Sequence, residues 1–220
     1  MTDMPKVVLH NSISLDGSLL GFEVDMVTHY GIAGKLRSDI TLTGSRTVLA
    51  GFTIFGSPPP ERMEDMKRPF VKDHLPFIVV TDSKGSLKGL LHGIRNAEYF
   101  KDAVVLISES TPRDYIGYLK EREYRHHVIG KDRVDLRKAM ALLRSEYGAR
   151  TVLVDTGQVL GNALLDEGLV TEISLLVHPT IVGKEGYSMF GSGLRRKDLS
   201  LKRSESIGNG MVWTLYEVKG

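Results

Sequence analysis

Apolar positions along this chain follow two rhythms that alternate for most of its length. The stretch KVVLHNSIS, Lys6 to Ser14, begins as a continuous apolar run and ends in alternation through Leu9, Asn11 and Ile13. It predicts a strand, closed by an Asp16-Gly17 turn. Further short β-favouring runs predict strands at Ile40–Thr43, Leu75–Thr81, Ala103–Ser108, His126–Ile129 and Thr151–Val154. Between them, apolar residues at helical spacing predict helices over Asp25–Arg37, Ser45–Ile54, Arg113–Glu121, Val134–Tyr147 and Gln158–Glu167. In the first of these the apolar positions are Met26, Tyr30, Ala33 and Leu36, with Asp25 as N-cap. Pro112 opens the helix at Arg113, Gly148 ends the one at Tyr147, and Gly168 the one at Glu167.

The last third changes rhythm. Glu172–Val177, Ser200–Ile207 and Met211–Val218 predict strands with little room for helices between them, and Asn209-Gly210 is a strong hairpin signal. Strand–helix alternation followed by a hairpin predicts an α/β fold: a mostly parallel sheet with an antiparallel C-terminal hairpin. Pro58-Pro59-Pro60 and the charged run Glu61–Arg68 predict one long exposed loop or lid. No repeat or boundary stands out, so a single domain is expected.

Composition adds mainly exclusions. In 220 residues there are 29 basic and 27 acidic side chains and no cysteine. Disulfides, thiol catalysis and cysteine-ligated metal are excluded, and no charge excess points to nucleic acid or membrane. Met1–Pro5 is too polar and Val7–Leu9 too short for a signal peptide, so a soluble cytoplasmic protein is expected. His126 and His127 are adjacent and would face opposite sides of a strand, which is not a metal set. Arg195-Arg196-Lys197 reads as a solvated loop, Gly191-Ser192-Gly193 lacks the setting of a dinucleotide fingerprint, and Tyr115, Tyr118 and Leu119 read as helix packing.

The candidate chemistry lies where predicted strands end. Ser14-Leu15-Asp16-Gly17, Gly44-Ser45-Arg46-Thr47, Thr81-Asp82-Ser83 and Asp155-Thr156-Gly157 all place small or acidic residues there, and open α/β sheets bind ligands outside the carboxyl ends of their strands. The last instance is the fullest: a strand, a carboxylate, a glycine turn and a helix start, suited to an anionic ligand. Asp16 and Asp155 are the acids best placed to polarise an acceptor or relay a proton. An Asp-Gly turn would explain Asp16 equally well, and N-capping is the alternative for Asp155.

In order along the chain, Ser14-Leu15-Asp16-Gly17, Arg37-Ser38-Asp39-Ile40, Gly44-Ser45-Arg46-Thr47-Val48, Pro76 to Asp82, and the run from Asp155 through Gly168-Leu169-Val170 to Pro179 and Gly183 resemble the pyrimidine reductases of riboflavin biosynthesis. These form the reductase domain of the bifunctional deaminase-reductase. The resemblance runs from Lys6 to about Gly191. It implies a dihydrofolate-reductase-like three-layer fold, a homodimer and an NADPH-dependent reduction. The group reduced is the ribosyl of a diaminopyrimidine ribosylamine 5′-phosphate, which becomes ribityl. Thr47 and the turn and helix start Gly157, Gln158, Val159, Leu160 and Gly161 would contact the cofactor, together with Ser14, Thr81 and Ser83. Arg46 is a candidate for the 2′-phosphate. Asn11, Lys35 and Asp155 would contact substrate, and Asp155 and Asp16 would be the catalytic acids.

The chain departs from the family pattern at three polar positions. A basic residue is replaced by Ser18, an acid by Gly51, and a glutamate by Asp155. A pterin or another heterocycle as acceptor, and a cofactor-binding protein without catalysis, stay open beside the leading reading.

Overall fold

The computed structural model describes residues 4–67 and 74–219, so Arg68, the end of the expected loop, and Met1–Asp3 lie outside the described residues. The chain forms two compact units. One is Asp39–Ala149; the other joins Pro5–Ser38 to Arg150–Gly220.

In the first unit, β2 (Ile40–Gly44), β3 (Phe77–Thr81), β4 (Ala103–Ile107) and β5 (Arg125–Val128) run parallel in the order β5-β4-β3-β2. Every residue of β4 is buried, as an apolar run covered on both faces should be. Val80, Val105, Ile107, Leu87, Leu91, Tyr115 and Leu119 make its core. The helices are α2 (Ser45–Phe55), α3 (Leu91–Arg95), α4 (Arg113–Glu121) and α5 (Leu136–Tyr147). Gly148, at φ 65°, closes α5 in the left-handed conformation that glycine takes without strain.

Two features of this unit differ from expectation. The short α3 was not expected; its sequence is interrupted by Gly93, where a Cβ would come within 2.9 Å of Pro58. The stretch expected as an exposed loop or lid is mostly exposed, and what differs is that side chains fasten it. The Glu61 carboxylate accepts hydrogen bonds from the Tyr118 hydroxyl (2.8 Å) and Arg122 Nε (2.5 Å), and His92 Nε2 meets the Pro59 carbonyl at 2.8 Å. Met63–Met66 then forms one 3-10 turn, where buried Asp65 accepts from the Arg62 N–H (2.9 Å) and Asn96 Nδ2 (2.7 Å). Composition marks such a segment as polar, but its partners are distant in sequence.

In the second unit, β1 (Lys6–Ser14) lies between β6 (Thr151–Val154) and β7 (Glu172–His178), parallel to both. β9 (Met211–Val218) pairs antiparallel with β7, and β8 (Leu199–Gly208) with β9. Asn209 (φ 50°) and Gly210 (φ 74°) form the two-residue turn, both in the positive-φ region that a type I′ hairpin requires. The expected α/β class, with parallel strands and an antiparallel C-terminal pair, is what forms. β7 is mostly buried, whereas Leu199, Leu201 and Val212 of the hairpin are exposed.

The helices here are α1 (Met26–Lys35) and α6 (Gln158–Asp166). Asp25 caps α1 as expected, accepting from the Thr28 N–H and hydroxyl, each at 2.9 Å. The buried face of α1 is not the expected one: His29 and Ile32 are buried, while Tyr30 is exposed. An apolar-periodicity rule cannot place a histidine inside, and here polar partners make that possible. No helix among the described residues is long and apolar enough to cross a membrane.

Candidate active site

β1 sets the problem from which the site follows. All of its residues after Lys6 are buried, although His10, Asn11, Ser12 and Ser14 are polar. Buried polar groups need partners, and here the partners connect β1 to α1, to the end of β6 and to β7.

His10 lies at the inner end. Its Nε2 faces the His29 carbonyl at 3.2 Å, and its Nδ1 faces Ser174 Oγ at 3.0 Å. Nδ1 also lies 3.3 Å from the Ser174 carbonyl, so each ring nitrogen faces a carbonyl acceptor and either can carry the proton. Ser174 Oγ in turn accepts from Trp213 Nε1 at 2.9 Å. Burial, followed by the neighbouring His29, lowers the His10 pKa from 6.5 to about 4, which favours the neutral ring.

The second histidine leads outward. His29 stacks on His10 with ring centres 4.4 Å apart, and its Nδ1 is 2.9 Å from Ser12 Oγ. Its Nε2 is 3.5 Å from Asp155 Oδ2. The imidazole is nearly buried (6%), while the Asp155 side chain is 28% exposed. A serine, a histidine and an aspartate are thus in series. The order does not make a nucleophile, because Ser12 is buried and faces Nδ1 away from any surface where a substrate carbonyl could meet it.

Asp155 opens the turn between β6 and α6. Gly157 enters α6 in extended conformation, and no side chain caps the helix. Asn11 Nδ2 donates to the Thr156 carbonyl at 3.0 Å and so holds the turn against β1. Its Oδ1 is buried and has no partner among the described residues. On α6, Gln158 Nε2 donates to the Ser188 carbonyl at 2.7 Å, Val159 is exposed, Leu160 is half-buried and Gly161 is buried 3.5 Å from Leu9 Cδ1 (measured to an added Cβ). Asn162, with its amide oriented to suit its neighbours, donates to the Met189 carbonyl (3.2 Å) and accepts from the Gly191 N–H (2.7 Å).

The loop after β1 is fastened to the same 182–191 segment. Asp16 accepts from the Ser14 hydroxyl (2.5 Å) and from the N–H groups of Gly183 (2.8 Å) and Val182 (3.1 Å). These bonds, Ser14 first, hold its pKa down at about 2. The Asp16 carboxylate therefore serves as an anchor between two loops. Ser18 is a second anchor: its Oγ donates to the Leu20 carbonyl (2.7 Å) and accepts from the Tyr187 N–H (2.8 Å). A Cβ on Gly186 would lie 3.1 Å from that Oγ. Ser18 is buried, so a long basic side chain at this place would require its neighbours to move.

Lys35 is exposed at the end of α1, its Nζ 5.5 Å from the Trp213 ring centre. In the first unit, Thr47 is half-buried in the first turn of α2, which is entered through Gly44 without a side-chain cap. Thr81 ends β3, and the Ser83 carbonyl accepts from Thr111 Oγ1 at 3.0 Å. Between them Asp82 is buried and accepts from the N–H groups of Ser86 and Leu87, both at 2.9 Å. His10, His29, Ser12 and Ser174 were not expected in a site. Only His10 and Ser12 had a signal in the sequence: a polar series on a strand whose first half is too apolar to face water.

Comparison with known proteins places this arrangement. Residues 5–213 match the family described as the RibD C-terminal domain. A curated relative from Methanothermobacter thermautotrophicus, a 2,5-diamino-6-ribosylamino-4(3H)-pyrimidinone 5′-phosphate reductase, is 31% identical over 126 residues, 53% of this chain and 56% of that protein. The chain thus aligns with little more than half the length of this relative. A reductase of the same name from Archaeoglobus fulgidus is 27% identical over 222 residues, 96% of this chain and 97% of that one. Among solved structures, a pyrimidine reductase-like protein from Corynebacterium diphtheriae superposes with a TM-score of 0.74 at 16% identity, covering 98% of this chain and 92% of the other. That likeness speaks for the fold, a dihydrofolate-reductase-like one.

Proposed function

The chain belongs to the RibD C-terminal domain family, and from that premise we propose that it is an NADPH-dependent reductase of a diaminopyrimidine ribosylamine 5′-phosphate, turning its ribosyl group into ribityl. The observation that carries the reading is the junction of β6 and α6. A half-exposed carboxylate, Asp155, precedes a glycine-entered helix, and the unfilled acceptor Asn11 Oδ1 lies buried beside it.

These residues fit the two ligands. NADPH supplies a hydride when bound, so the protein needs no nucleophile or metal, only orientation, polarity and exclusion of water. Asn11 Oδ1 suits an amide or amine N–H of a ligand, which would relieve an otherwise costly buried acceptor. We assign Gly157, Gln158, Val159, Leu160 and Gly161 to cofactor contact, and likewise Ser14, Thr47, Thr81 and Ser83. Asn11, Lys35 and Asp155 are assigned to substrate. Asp155 is the group that touches the acceptor; Asp16 positions the loop after β1. We further propose a cytoplasmic homodimer joined through the outer face of the β8–β9 hairpin, where Leu199, Leu201 and Val212 are exposed.

The test is steady oxidation of NADPH in the presence of the ribosylaminopyrimidine phosphate, with dihydropterin as the competing acceptor. Cofactor binding is read separately by thermal unfolding, since saturation at about 100 times Kd stabilises the native state by about 2.7 kcal/mol. No shift at saturating NADPH sinks the dinucleotide reading, and turnover of the pterin alone replaces the substrate. Leu201→Lys is expected to give a monomer in light scattering.

A further inference from the structure

We propose that His29 is a positioning residue that fixes the Asp155 carboxylate and shares with it the proton consumed in the reduction, so that the acid at this site is the His29–Asp155 pair. The inference rests on the reductase reading and deepens it.

The balance of the reaction creates the need. In net terms the C1′–O4′ ring bond of the ribosyl group breaks, C1′ gains a hydride, and O4′ leaves as a hydroxyl carrying one proton. The nicotinamide is oxidised by two electrons and the sugar carbon reduced by two. One proton must therefore come from the protein or from water. An imidazole can carry that proton and a carboxylate can pass it on.

The geometry supplies the imidazole behind the carboxylate. His29 Nε2 lies 3.5 Å from Asp155 Oδ2, buried, while Asp155 reaches the surface. A proton leaving His29 through Asp155 can be replaced from solvent at the exposed carboxylate after product departs. Ser12 suits this direction: its hydroxyl, 2.9 Å from Nδ1, accepts from Nδ1–H in both states while the proton on Nε2 is the one exchanged toward Asp155. No backbone movement is needed when the proton goes.

The surroundings single out Asp155 as the counter-charge. From β1, His10 faces the ring and is held neutral. From the end of β7, His178 is also depressed by burial and interacts with both Asp25 and His29. On its own helix His29 has the Tyr30 ring edge at 5.0 Å, and Asp25 is occupied in capping. Neither Ser12 nor Ser174 carries charge.

The experiment uses His29→Gln, which keeps an amide N–H toward Asp155 but has no titratable proton. With NADPH and the ribosylaminopyrimidine phosphate, kcat is expected to fall about 100-fold with KM changed less than about twofold. A structural role alone would not lower kcat while leaving KM in place. Independently of turnover, imidazole-nitrogen NMR of the resting protein reads the pair directly. Asp155→Asn should move the His29 Nε2 resonance more than the His10 nitrogens, which also feel the Asp155 charge.

Absence of wild-type turnover overturns the reductase reading, while the spectra still judge the pair. Wild-type turnover with kcat intact in His29→Gln overturns the relay. His29 nitrogens unmoved by Asp155→Asn overturn it as well, even where His29→Gln fails to fold.

Discussion

β4 and β1 are both flanked by parallel neighbours within their own units, and both are buried, yet they are built from different chemistry. β4 is Ala-Val-Val-Leu-Ile and needs nothing but packing. β1 starts the same way at Val7-Val8-Leu9 and then buries His10, Asn11, Ser12 and Ser14. Every one of those polar groups must be matched by another buried or half-buried group. The match is what gathers His29, Ser174, Trp213, Thr156 and Asp155 around one strand. A buried strand that spends core positions on polar residues marks a site; an apolar one marks a scaffold.

The sharpest way to break the comparison is at the β1 side. Asp155→Ala is expected to lower kcat about 100-fold, about 3 kcal/mol in the barrier, with thermal stability nearly unchanged because the side chain is part-exposed. Equal loss in NADPH affinity, read from the thermal shift, would move Asp155 from the acceptor to the cofactor. Leu106→Ala in β4 is expected to do the opposite. Leu106 is fully buried, so truncation should cost about 2–5 kcal/mol in denaturant unfolding, with kcat preserved below the melting transition. A large fall in kcat of the folded Leu106→Ala protein would dissolve the distinction between scaffold and site.

A third measurement uses pH. His10 is neutral when folded, with its pKa lowered to about 4, so the unfolded chain binds more protons between there and 6.5. Its stabilisation is complete above 6.5 and is lost as pH falls toward 4, amounting to about 3 kcal/mol in all. His127 and His178 are lowered too and act in the same direction. The diagnostic is therefore the difference between wild type and His10→Gln, whose stability should fall less steeply over that window. Parallel curves would remove His10 from the buried network.

The two strands also show what a sequence can reveal. Apolar runs located β4 and β1 alike, and the helices at Arg113 and Gln158 begin where spacing places them. The hairpin was legible because Asn209-Gly210 is demanded by local backbone geometry. Asp155 was legible because a strand, an acid and a glycine follow one another in the chain. His29 was not. Its value depends on Ser12 and Asp155, which are remote in sequence, and helical periodicity placed Tyr30 inward in its stead. Asp16 shows the same limit from the other side: the residue was found, but its partners at Val182 and Gly183 lie across the fold. The pinned segment around Glu61 and the short α3 were hidden for this reason as well.

The smallest effect tests how far the polar pattern of β1 extends past its end. Ser18 is 3% exposed, and its hydroxyl serves Leu20 and Tyr187. Ser18→Ala should cost about 1 kcal/mol, the ordinary net worth of a lost hydrogen bond, with kcat within about twofold. Ser18→Lys brings back the kind of residue the family often has there, yet it is expected to destabilise more than alanine does. The larger side chain must displace Gly186 and release the loop that Asp16 also holds. A gain in kcat without loss of stability in Ser18→Lys would show that the position still belongs to the catalytic surface. A loss in both would show that in this chain the end of β1 has become a fastening, leaving proton supply to the residues buried behind Asp155.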